Sequence, residues 1–438
     1  MVCLMELEID SLTLRGYGAA PLSERKSVEV AGALPGEQVR IELKVSKQRV
    51  KKGRLLEVLR ASPDRVPTRC AHAHQCGGCA LQHLDYAAQL RLKEQRVRAA
   101  FAEFPVAVEP ILGMADPWRY RNKMEFTFSE NRGGTKYLGL MIAQAEPYVF
   151  NLDECHLCST WFADSVRYVR AWWEKTGLKA YHPHRNEGLL RYLTLRQSQR
   201  TGERMAILNL STETFPPEAR ASLKEAFSPD VALFVRIHNA RKGTPTEFIE
   251  EHLAGPSYIT ESVCNLTFRI SPSSFFQPNT LQAELLYRTA MSLIAPGRLV
   301  YDLYCGTGTL GMIAAATAHK VIGIDLSAEA IRDAQANAER NGLTNLQFEA
   351  GDVGKVLTRL QGRPDVVIVD PPRAGLDPLA LHHLQQLKPK EILYISCNPL
   401  TQAENIRALT GYELIKLQPV DQFAHTYHIE NIALLRAK

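Results

Sequence analysis

Residues 302–311 read DLYCGTGTLG: the end of a short apolar strand is followed by Gly306, Gly308 and Gly311 in G-x-G-x-x-G spacing, and an apolar helix comes next. Glycines at this spacing let the backbone turn tightly and approach a ligand closely. Fourteen residues after the last glycine, the next strand ends at Asp325, where a carboxylate would accept hydrogen bonds from ribose hydroxyls. The motif predicts a nucleotide-like ligand, and by itself it fits a dinucleotide as well as an adenosyl group.

Strands and helices alternate on both sides of this motif from about residue 296 onward. The predicted strands are RLVYDLYC, KVIGIDLS, LQFEAGDV, DVVIVDPP and EILYISCNP. Strand–helix alternation of this kind is typical of a parallel, doubly wound α/β sheet with helices on both faces. Such a sheet holds its ligands at the carboxyl ends of the strands.

The fourth of these strands ends in Asp370-Pro371-Pro372-Arg373. The prolines stiffen the chain and remove hydrogen-bond donors, which shapes a flat pocket in which the acid can read a planar ring. This arrangement is typical of S-adenosylmethionine methyltransferases that act on a base or an amide, and it disfavours a nicotinamide dehydrogenase. The alternative is that Asp370 only caps the next helix.

The fifth strand ends at Cys397, and the tail FAHTYHIENIALL supplies His425, His428 and Glu430. A cysteine at the end of a buried strand is often inert core, but here it faces the expected cofactor mouth, so we interpret it as a catalytic thiol. A thiol ionises near 8.5, so the site would need to favour the thiolate. A thiolate, a carboxylate base and a methyl donor together suit C5 methylation of a pyrimidine, in which the thiolate first adds to C6.

The amino-terminal sixty residues contain several short alternating strands separated by glycine turns. They predict a small β-barrel of the oligonucleotide-binding kind. The stretch KVSKQRVKKGR is rich in cations, namely Lys44, Lys47, Arg49, Lys51, Lys52 and Arg54. Either it contacts RNA, together with a basic helix from Arg91 to Arg98, or it is a solvated edge.

Three cysteines, Cys70, Cys76 and Cys79, lie in the loop RCAHAHQCGGCALQH, and Cys155 and Cys158 follow in LDECHLCST. An odd total of nine cysteines and a start without a basic signal segment predict reduced thiols in a cytoplasmic protein. No run is long and apolar enough for a bilayer, so no membrane association is expected. The loop predicts a metal site, and zinc with nearby histidines competes with an iron–sulfur cluster.

Taken together, SCNP, DPPR, DLYCGTG, the HIE tail and FFQPN (275–279) resemble the S-adenosylmethionine-dependent RNA uracil-C5 methyltransferases. ALPGE in the amino-terminal region resembles a TRAM domain, the cysteine loop resembles that family's iron–sulfur segment, and YRNK (120–123) resembles its next block. The resemblance covers nearly the whole chain and is nearest to the 23S ribosomal RNA type, since the transfer RNA type generally lacks the barrel and the cluster.

The resemblance implies roles for individual residues. Cys397 is expected as the nucleophile and Glu430 as the base. The cofactor or the uracil would be held by Gln277, Tyr304, Gly306, Gly308, Thr309, Asp325, Asp352 and Asp370. A [4Fe-4S] cluster would be held by Cys70, Cys76, Cys79 and Cys155. Tyr304 and Thr309 depart from the family's usual phenylalanine and asparagine, which puts the Thr309 contact in question.

The sequence thus predicts three domains: a TRAM-like barrel over 1–62, a central iron–sulfur domain over 63–265 and a methyltransferase domain over 266–438. We expect a monomer that methylates 23S rRNA and has no obligate protein partner. The alternatives are a tRNA uracil-C5 methyltransferase, a methylase acting on an amino group, and a non-catalytic RNA-binding or assembly factor that keeps the fold.

Overall fold

The computed structural model describes residues 2–44, 49–143, 148–212, 214–239, 247–360 and 362–438. Lys47 of the basic stretch lies outside these residues. The described chain forms three large β-sheets and one separate hairpin. Within it, no helix combines the length and hydropathy needed to span a membrane.

The first sheet contains six strands in the order β1-β5-β6-β4-β3-β2. Its strands are β1 (Val2–Glu8), β2 (Ser11–Leu12), β3 (Gly18–Ser23), β4 (Lys26–Val30), β5 (Gln38–Lys44) and β6 (Val50–Arg60). The segment 2–12 contributes to both edges, because β1 pairs with β5 and β2 pairs with β3. The sheet therefore curls back on itself around an apolar core that includes Ile9, Val28 and Ile41.

The second sheet has seven strands in the order β13-β12-β11-β10-β7-β8-β9. Its strands are β7 (Lys123–Glu130), β8 (Lys136–Met141), β9 (Val149–Asn151), β10 (Leu190–Gln197), β11 (Arg204–Leu210), β12 (Val231–Asn239) and β13 (Glu247–Ala254). The helices of this region are α1 (Tyr86–Ala100), α2 (Thr160–Lys175) and α3 (Pro217–Glu225). α2 and α3 cover one face of the sheet, where Trp173, Phe126 and Leu223 are buried.

A two-stranded hairpin, β14 (Ile259–Val263) with β15 (Leu266–Ile270), precedes the third sheet. The third sheet has the order β18-β17-β16-β19-β20-β22-β21. Its strands are β16 (Leu299–Leu303), β17 (Lys320–Asp325), β18 (Leu346–Ala350), β19 (Val366–Val369), β20 (Glu391–Ser396), β21 (Tyr412–Val420) and β22 (Glu430–Ala437). The remaining helices are α4 (Thr280–Met291), α5 (Thr309–Ala315), α6 (Ala328–Arg340), α7 (Val353–Leu357), α8 (Pro378–Leu387) and α9 (Pro399–Ala408).

The first five strands of the third sheet run parallel, and β22 runs antiparallel to both of its neighbours. This arrangement confirms the predicted doubly wound α/β sheet. All five predicted strands are present, and the carboxyl ends of β16, β17, β19 and β20 meet at one edge. Four of the predicted site residues, Tyr304, Asp325, Asp370 and Cys397, lie at or directly after the ends of these strands.

Helix α1 packs against the third sheet, although it lies far from it in the sequence. Val97 and Phe101 are buried in the same core as Tyr394 and Leu435. The segment after α1 extends the sheet, because Val108 pairs with Leu417 of β21. The third sheet is therefore completed by residues from the first third of the chain.

Candidate active site

The glycine loop after β16 adopts the backbone geometry that its sequence requires. Tyr304, Gly306 and Gly308 all have left-handed backbone conformations, with φ of 63°, 55° and 78°. A Cβ at Gly308 would lie 2.6 Å from the ring of Phe348, whereas a Cβ at Gly306 would meet nothing within 4 Å. The loop is thus packed tightly against β18 on one side and open on the other, which leaves room for a ligand beside Gly306.

Two aspartates hold this loop in place from below. One oxygen of Asp325 accepts a hydrogen bond from Gly306 N at 2.9 Å, and the other accepts one from Ser327 N at 2.8 Å. Asp302 accepts a hydrogen bond from Gly311 N at 2.8 Å through one oxygen. The other oxygen, Oδ1, is buried without a hydrogen-bond partner.

Asp302 was not among the residues predicted from the sequence. Burial, together with the nearby Asp370 carboxylate, raises its pKa to about 8, and the hydrogen bond from the Gly311 amide opposes the rise. The only sequence signal was a carboxylate inside the apolar strand YDLYC. A buried, half-satisfied acid beneath a ligand loop is a frequent feature of functional sites.

Other predicted cofactor residues lie around this loop. Thr309 begins α5, and Asp352 is exposed after β18, where it caps α7 by accepting a hydrogen bond from Lys355 N at 3.1 Å. Gln277 lies in the loop 271–279, where its carbonyl accepts a hydrogen bond from Asn122 at 2.9 Å. The same loop reaches the glycine loop.

Phe275 in the loop 271–279 is the point of contact with the glycine loop. Its carbonyl accepts a hydrogen bond from the Thr307 hydroxyl at 3.3 Å. Its own ring is 64% exposed. A large aromatic ring that faces solvent beside a ligand loop is available for stacking on a planar group.

Cys397 and Glu430 are brought together by strand pairing. β20 ends at Ser396, which is opposite Asn431 of β22. In an antiparallel pair the next residue of one strand meets the preceding residue of the other, so Cys397 faces Glu430. Although 33 positions apart in the sequence, the two side chains lie at the same edge as Asp370.

The electrostatics of this pair differ from the expectation that the site favours the thiolate. Burial and the Glu430 carboxyl raise the pKa of Cys397 to about 11, and Arg373 opposes the rise. Burial and Asp370 also raise the pKa of Glu430 well above its ordinary value. Burial raises the pKa of Asp370 to about 7. Like charges crowded in a buried site hold one another protonated.

Arg373 is the cation nearest to this acidic cluster, and the sequence analysis quoted it without assigning it a role. Its carbonyl accepts hydrogen bonds from the Asn398 amide at 3.2 Å and the Thr401 hydroxyl at 3.4 Å, which fix it beside the start of α9. Among the residues that the structure describes, its guanidinium has no ion pair. It is exposed, so it can meet an anionic substrate.

The two histidines of the tail have different surroundings. His425 is buried and stacks on Trp118 with ring centroids 3.9 Å apart, so it faces away from Cys397. His428 is partly buried, and burial together with Arg373 lowers its pKa to about 4. Both are therefore neutral at physiological pH.

The predicted metal ligands form a second group, outside the third sheet. Burial raises the pKa of Cys70, Cys76 and Cys79, and the charge of a Cys155 thiolate raises each of them further. The four thiols are therefore neighbours. A hydrogen bond from Cys158 lowers the pKa of Cys155 to about 7.

In the described ranges, no three or more His, Cys, Asp or Glu side chains are arranged to hold one metal ion. The zinc alternative therefore gains no support from the geometry. The iron–sulfur assignment stays a prediction.

Comparisons with known proteins agree with this geometry. The family model described as tRNA (uracil-5-)-methyltransferase matches residues 85–438. An uncharacterized RNA methyltransferase of Protochlamydia amoebophila is 42% identical over 93% of this chain and 99% of its own length. One from Caldanaerobacter subterraneus is 34% identical over 99% and 98%.

A solved structure extends the likeness over the whole length of the chain. The Pyrococcus abyssi tRNA (uracil-54, C5)-methyltransferase, in complex with S-adenosyl-L-homocysteine, is 28% identical with a TM-score of 0.79. The match covers 98% of this chain and 100% of that one. The amino-terminal sheet and the cysteine loop are therefore within the shared region of a tRNA enzyme, so their presence does not by itself indicate an rRNA substrate.

Proposed function

Because the chain belongs to the tRNA (uracil-5-)-methyltransferase family, we propose that it methylates C5 of a uridine in RNA through a covalent adduct with Cys397. The observation that carries this proposal is the juxtaposition of Cys397 and Glu430 at the edge that also holds the glycine loop. A methylase acting on an amino group needs neither a nucleophilic thiol nor a neighbouring base.

The chemistry follows from what each side chain does. The thiol of Cys397 releases its proton to solvent, the sulfur adds to C6 of the ring, and the C5=C6 electron pair becomes available at C5. S-adenosylmethionine, when bound, supplies an electrophilic methyl group. Glu430 then takes the proton from C5, the double bond re-forms, and the C6–S electron pair returns to Cys397.

The acidic edge suits a positively charged methyl donor. The pKa values of Asp302 and Asp370 are raised to about 8 and about 7 in the free protein, so a sulfonium bound beside them would favour their ionised forms. We assign the cofactor or the target uracil to the residues that surround this site, namely Gln277, Tyr304, Gly306, Gly308, Thr309, Asp325, Asp352 and Asp370. Phe275 supplies a ring on which a flipped base would stack.

For the RNA itself, we propose 23S rRNA as the first substrate to test. The full-length likeness to a tRNA (uracil-54, C5)-methyltransferase makes tRNA the second candidate. In either case the target base must leave its stack to reach Cys397. The curled first sheet carries Lys51 and Lys52, which would hold the surrounding RNA backbone as a barrel of the oligonucleotide-binding kind does.

We also propose that Cys70, Cys76, Cys79 and Cys155 hold a [4Fe-4S] cluster. Cys76 and Cys155 pack against one apolar cluster and Cys79 and Cys155 against another, so thiols that are distant in the sequence lie in one region. Arg121 supports an anionic group at this place: its Nε is buried without a hydrogen-bond partner among the described residues. Burial lowers its pKa, but Tyr120 and then the thiols of Cys79 and Cys155 raise it by more. A buried cation without a carboxylate needs another anion nearby, and a thiolate-ligated cluster is one.

The experiment that tests the covalent step uses RNA in which 5-fluorouridine replaces uridine. The C5 fluorine cannot be removed as a cation, so a methylated adduct should persist on the protein and survive denaturing electrophoresis. Peptide mapping should place it on Cys397, and Cys397→Ala should abolish it, while the partly buried Cys264→Ala should not. An adduct that never forms, or that forms elsewhere, contradicts the mechanism.

The substrate is tested by mapping methylated uridines in cells with and without the gene. Loss of 5-methyluridine from 23S rRNA alone supports the first candidate, and loss from tRNA alone supports the second. Unchanged 5-methyluridine in both would contradict the proposed activity.

A further inference from the structure

The loop 421–429 joins β21 to β22 and ends immediately before Glu430. Its backbone accepts hydrogen bonds from residues that are far away in the sequence. Leu81 N donates to the His425 carbonyl at 3.0 Å, and the Tyr120 hydroxyl donates to the Ala424 carbonyl at 2.9 Å. Leu81 follows the last cysteine of the cysteine loop by two residues, so that loop is joined directly to this one.

The centre of the loop is held in an uncommon conformation. His425 has φ of 63°, in the left-handed region that side chains rarely adopt. Its amide donates to the Gln89 side chain at 2.8 Å, and its ring stacks on Trp118. Such a conformation persists only where surrounding contacts determine it.

The stack on Trp118 continues to the cysteine loop. The Arg69 guanidinium lies 4.7 Å from the centre of the Trp118 ring. Arg69 immediately precedes Cys70 in the sequence. A cation, an indole and an imidazole thus form one column between the cysteine loop and the loop 421–429.

Apolar packing joins the same two segments. Tyr120, Leu157 and Ala424 are buried in one small cluster. Cys79 and Cys155 pack against that cluster. Two of the proposed metal ligands therefore pack directly against the residues that hold the loop 421–429 in place.

The nucleophile is positioned differently from the base. Cys397 leaves β20, which is paired on both sides, with β19 and with β22. Glu430 is the first residue of β22, where it pairs with Val420 of β21, and the loop 421–429 joins these two residues. A change in the support of this loop should therefore move Glu430 more than Cys397.

We propose that the cysteine loop, with Trp118, is a positioning element for Glu430, so that its contacts with the loop 421–429 serve proton removal from C5. The inference rests on the proposed function and adds a role for the cysteine segment within it. Trp118 acts through His425 and is a positioning residue.

The test replaces Trp118 by leucine in the full-length protein and supplies S-adenosylmethionine with RNA containing ordinary uridine. Misplacing a group by about 1 Å can cost roughly 10²-fold in rate. Slow proton removal leaves the methylated adduct uncleaved, so we expect Trp118→Leu to accumulate at least about tenfold more denaturation-resistant complex than the natural protein. Hydrogen exchange in 421–429 should rise, whereas affinity for S-adenosylmethionine should not change.

Two further variants make the outcome decisive. Trp161→Leu is the matched control, because Trp161 lies in α2 and its ring contacts Phe162 and Arg204, neither of which belongs to the loop 421–429. Glu430→Gln should accumulate the adduct directly, and its failure would contradict the proposed function. The positioning role is wrong in either of two cases, both with Glu430→Gln accumulating adduct. In the first, Trp118→Leu turns over normally. In the second, Trp118→Leu binds the cofactor but never forms adduct.

Discussion

The reactivity of Cys397 should depend steeply on pH in the free protein. Its pKa is raised to about 11 from an ordinary 9.0 because the thiol is buried and lies beside Glu430. At pH 7.5 a thiol with that pKa is only ~0.03% ionised, about 100-fold less than an ordinary one. Since only the thiolate reacts with an alkylating agent, iodoacetamide should modify Cys397 about 100-fold more slowly than an exposed cysteine.

Two substitutions should move this profile in opposite directions. Glu430→Gln removes the negative neighbour, so the pKa of the thiol should fall and alkylation at pH 8.5 should accelerate roughly tenfold. Arg373→Gln removes the positive neighbour, so the pKa should rise and alkylation should slow. The Arg373 effect should be the smaller and should weaken with salt, because its side chain is exposed.

The assay follows the alkylated peptide containing Cys397 by mass spectrometry from pH 7 to 10.5, with Cys397→Ala as the blank. The rate should climb about tenfold per pH unit across this range. A plateau below pH 9, or a slower reaction in Glu430→Gln, would refute the view that burial and the carboxyl suppress the thiolate. Either result would mean that the protein favours the thiolate of Cys397 before any substrate binds.

Three other perturbations have defined outcomes. Gly308→Ala places a Cβ against the ring of Phe348 at a residue whose backbone is left-handed. Calorimetry should therefore show S-adenosylmethionine binding weakened by at least about tenfold, or about 1–3 kcal/mol. Undiminished affinity would contradict this. Lys93→Met leaves the buried Asp421 carboxylate, which lies 2.6 Å from Lys93 Nζ, without its ion-pair partner. Urea unfolding should therefore show that the free energy of unfolding falls by about 3–5 kcal/mol, and Asp421→Leu in the same chain should largely restore it. Cys155→Ser should abolish iron content and visible absorbance whereas Cys158→Ser should keep both; the opposite pattern would exchange the ligand.

Most of the third sheet could be predicted from the sequence because local patterns encode it. Each parallel strand is a short apolar run bounded by turn residues, and each site residue comes directly after such a run. Asp325, Asp370 and Cys397 are therefore found at one edge simply because parallel strands share their direction. Placing Glu430 beside Cys397 additionally needed the antiparallel pairing of β22 with β20, which the sequence did not predict; the resemblance implied only that Glu430 is the base.

What the sequence did not reveal depends on contacts between distant parts of the chain. The basic helix was expected to hold RNA, but Lys93 is fully buried in α1 and pairs with Asp421, and Arg91 pairs with Asp64. Likewise, the raised pKa of Cys397 results from burial and charge neighbours that only the folded chain brings together. The spacing of cations along a helix does not show which of them will form an ion pair with a residue hundreds of positions later in the sequence.

The ion pair between Lys93 and Asp421 also constrains the order of events during synthesis. The two residues are separated by 328 positions, and neither side chain is exposed in the folded protein. At roughly 5–20 residues per second, a ribosome needs about 16–66 s to reach the second after making the first. Until then the ammonium group of Lys93 must stay in water, so the carboxyl-terminal sheet cannot reach its final packing as an independent unit.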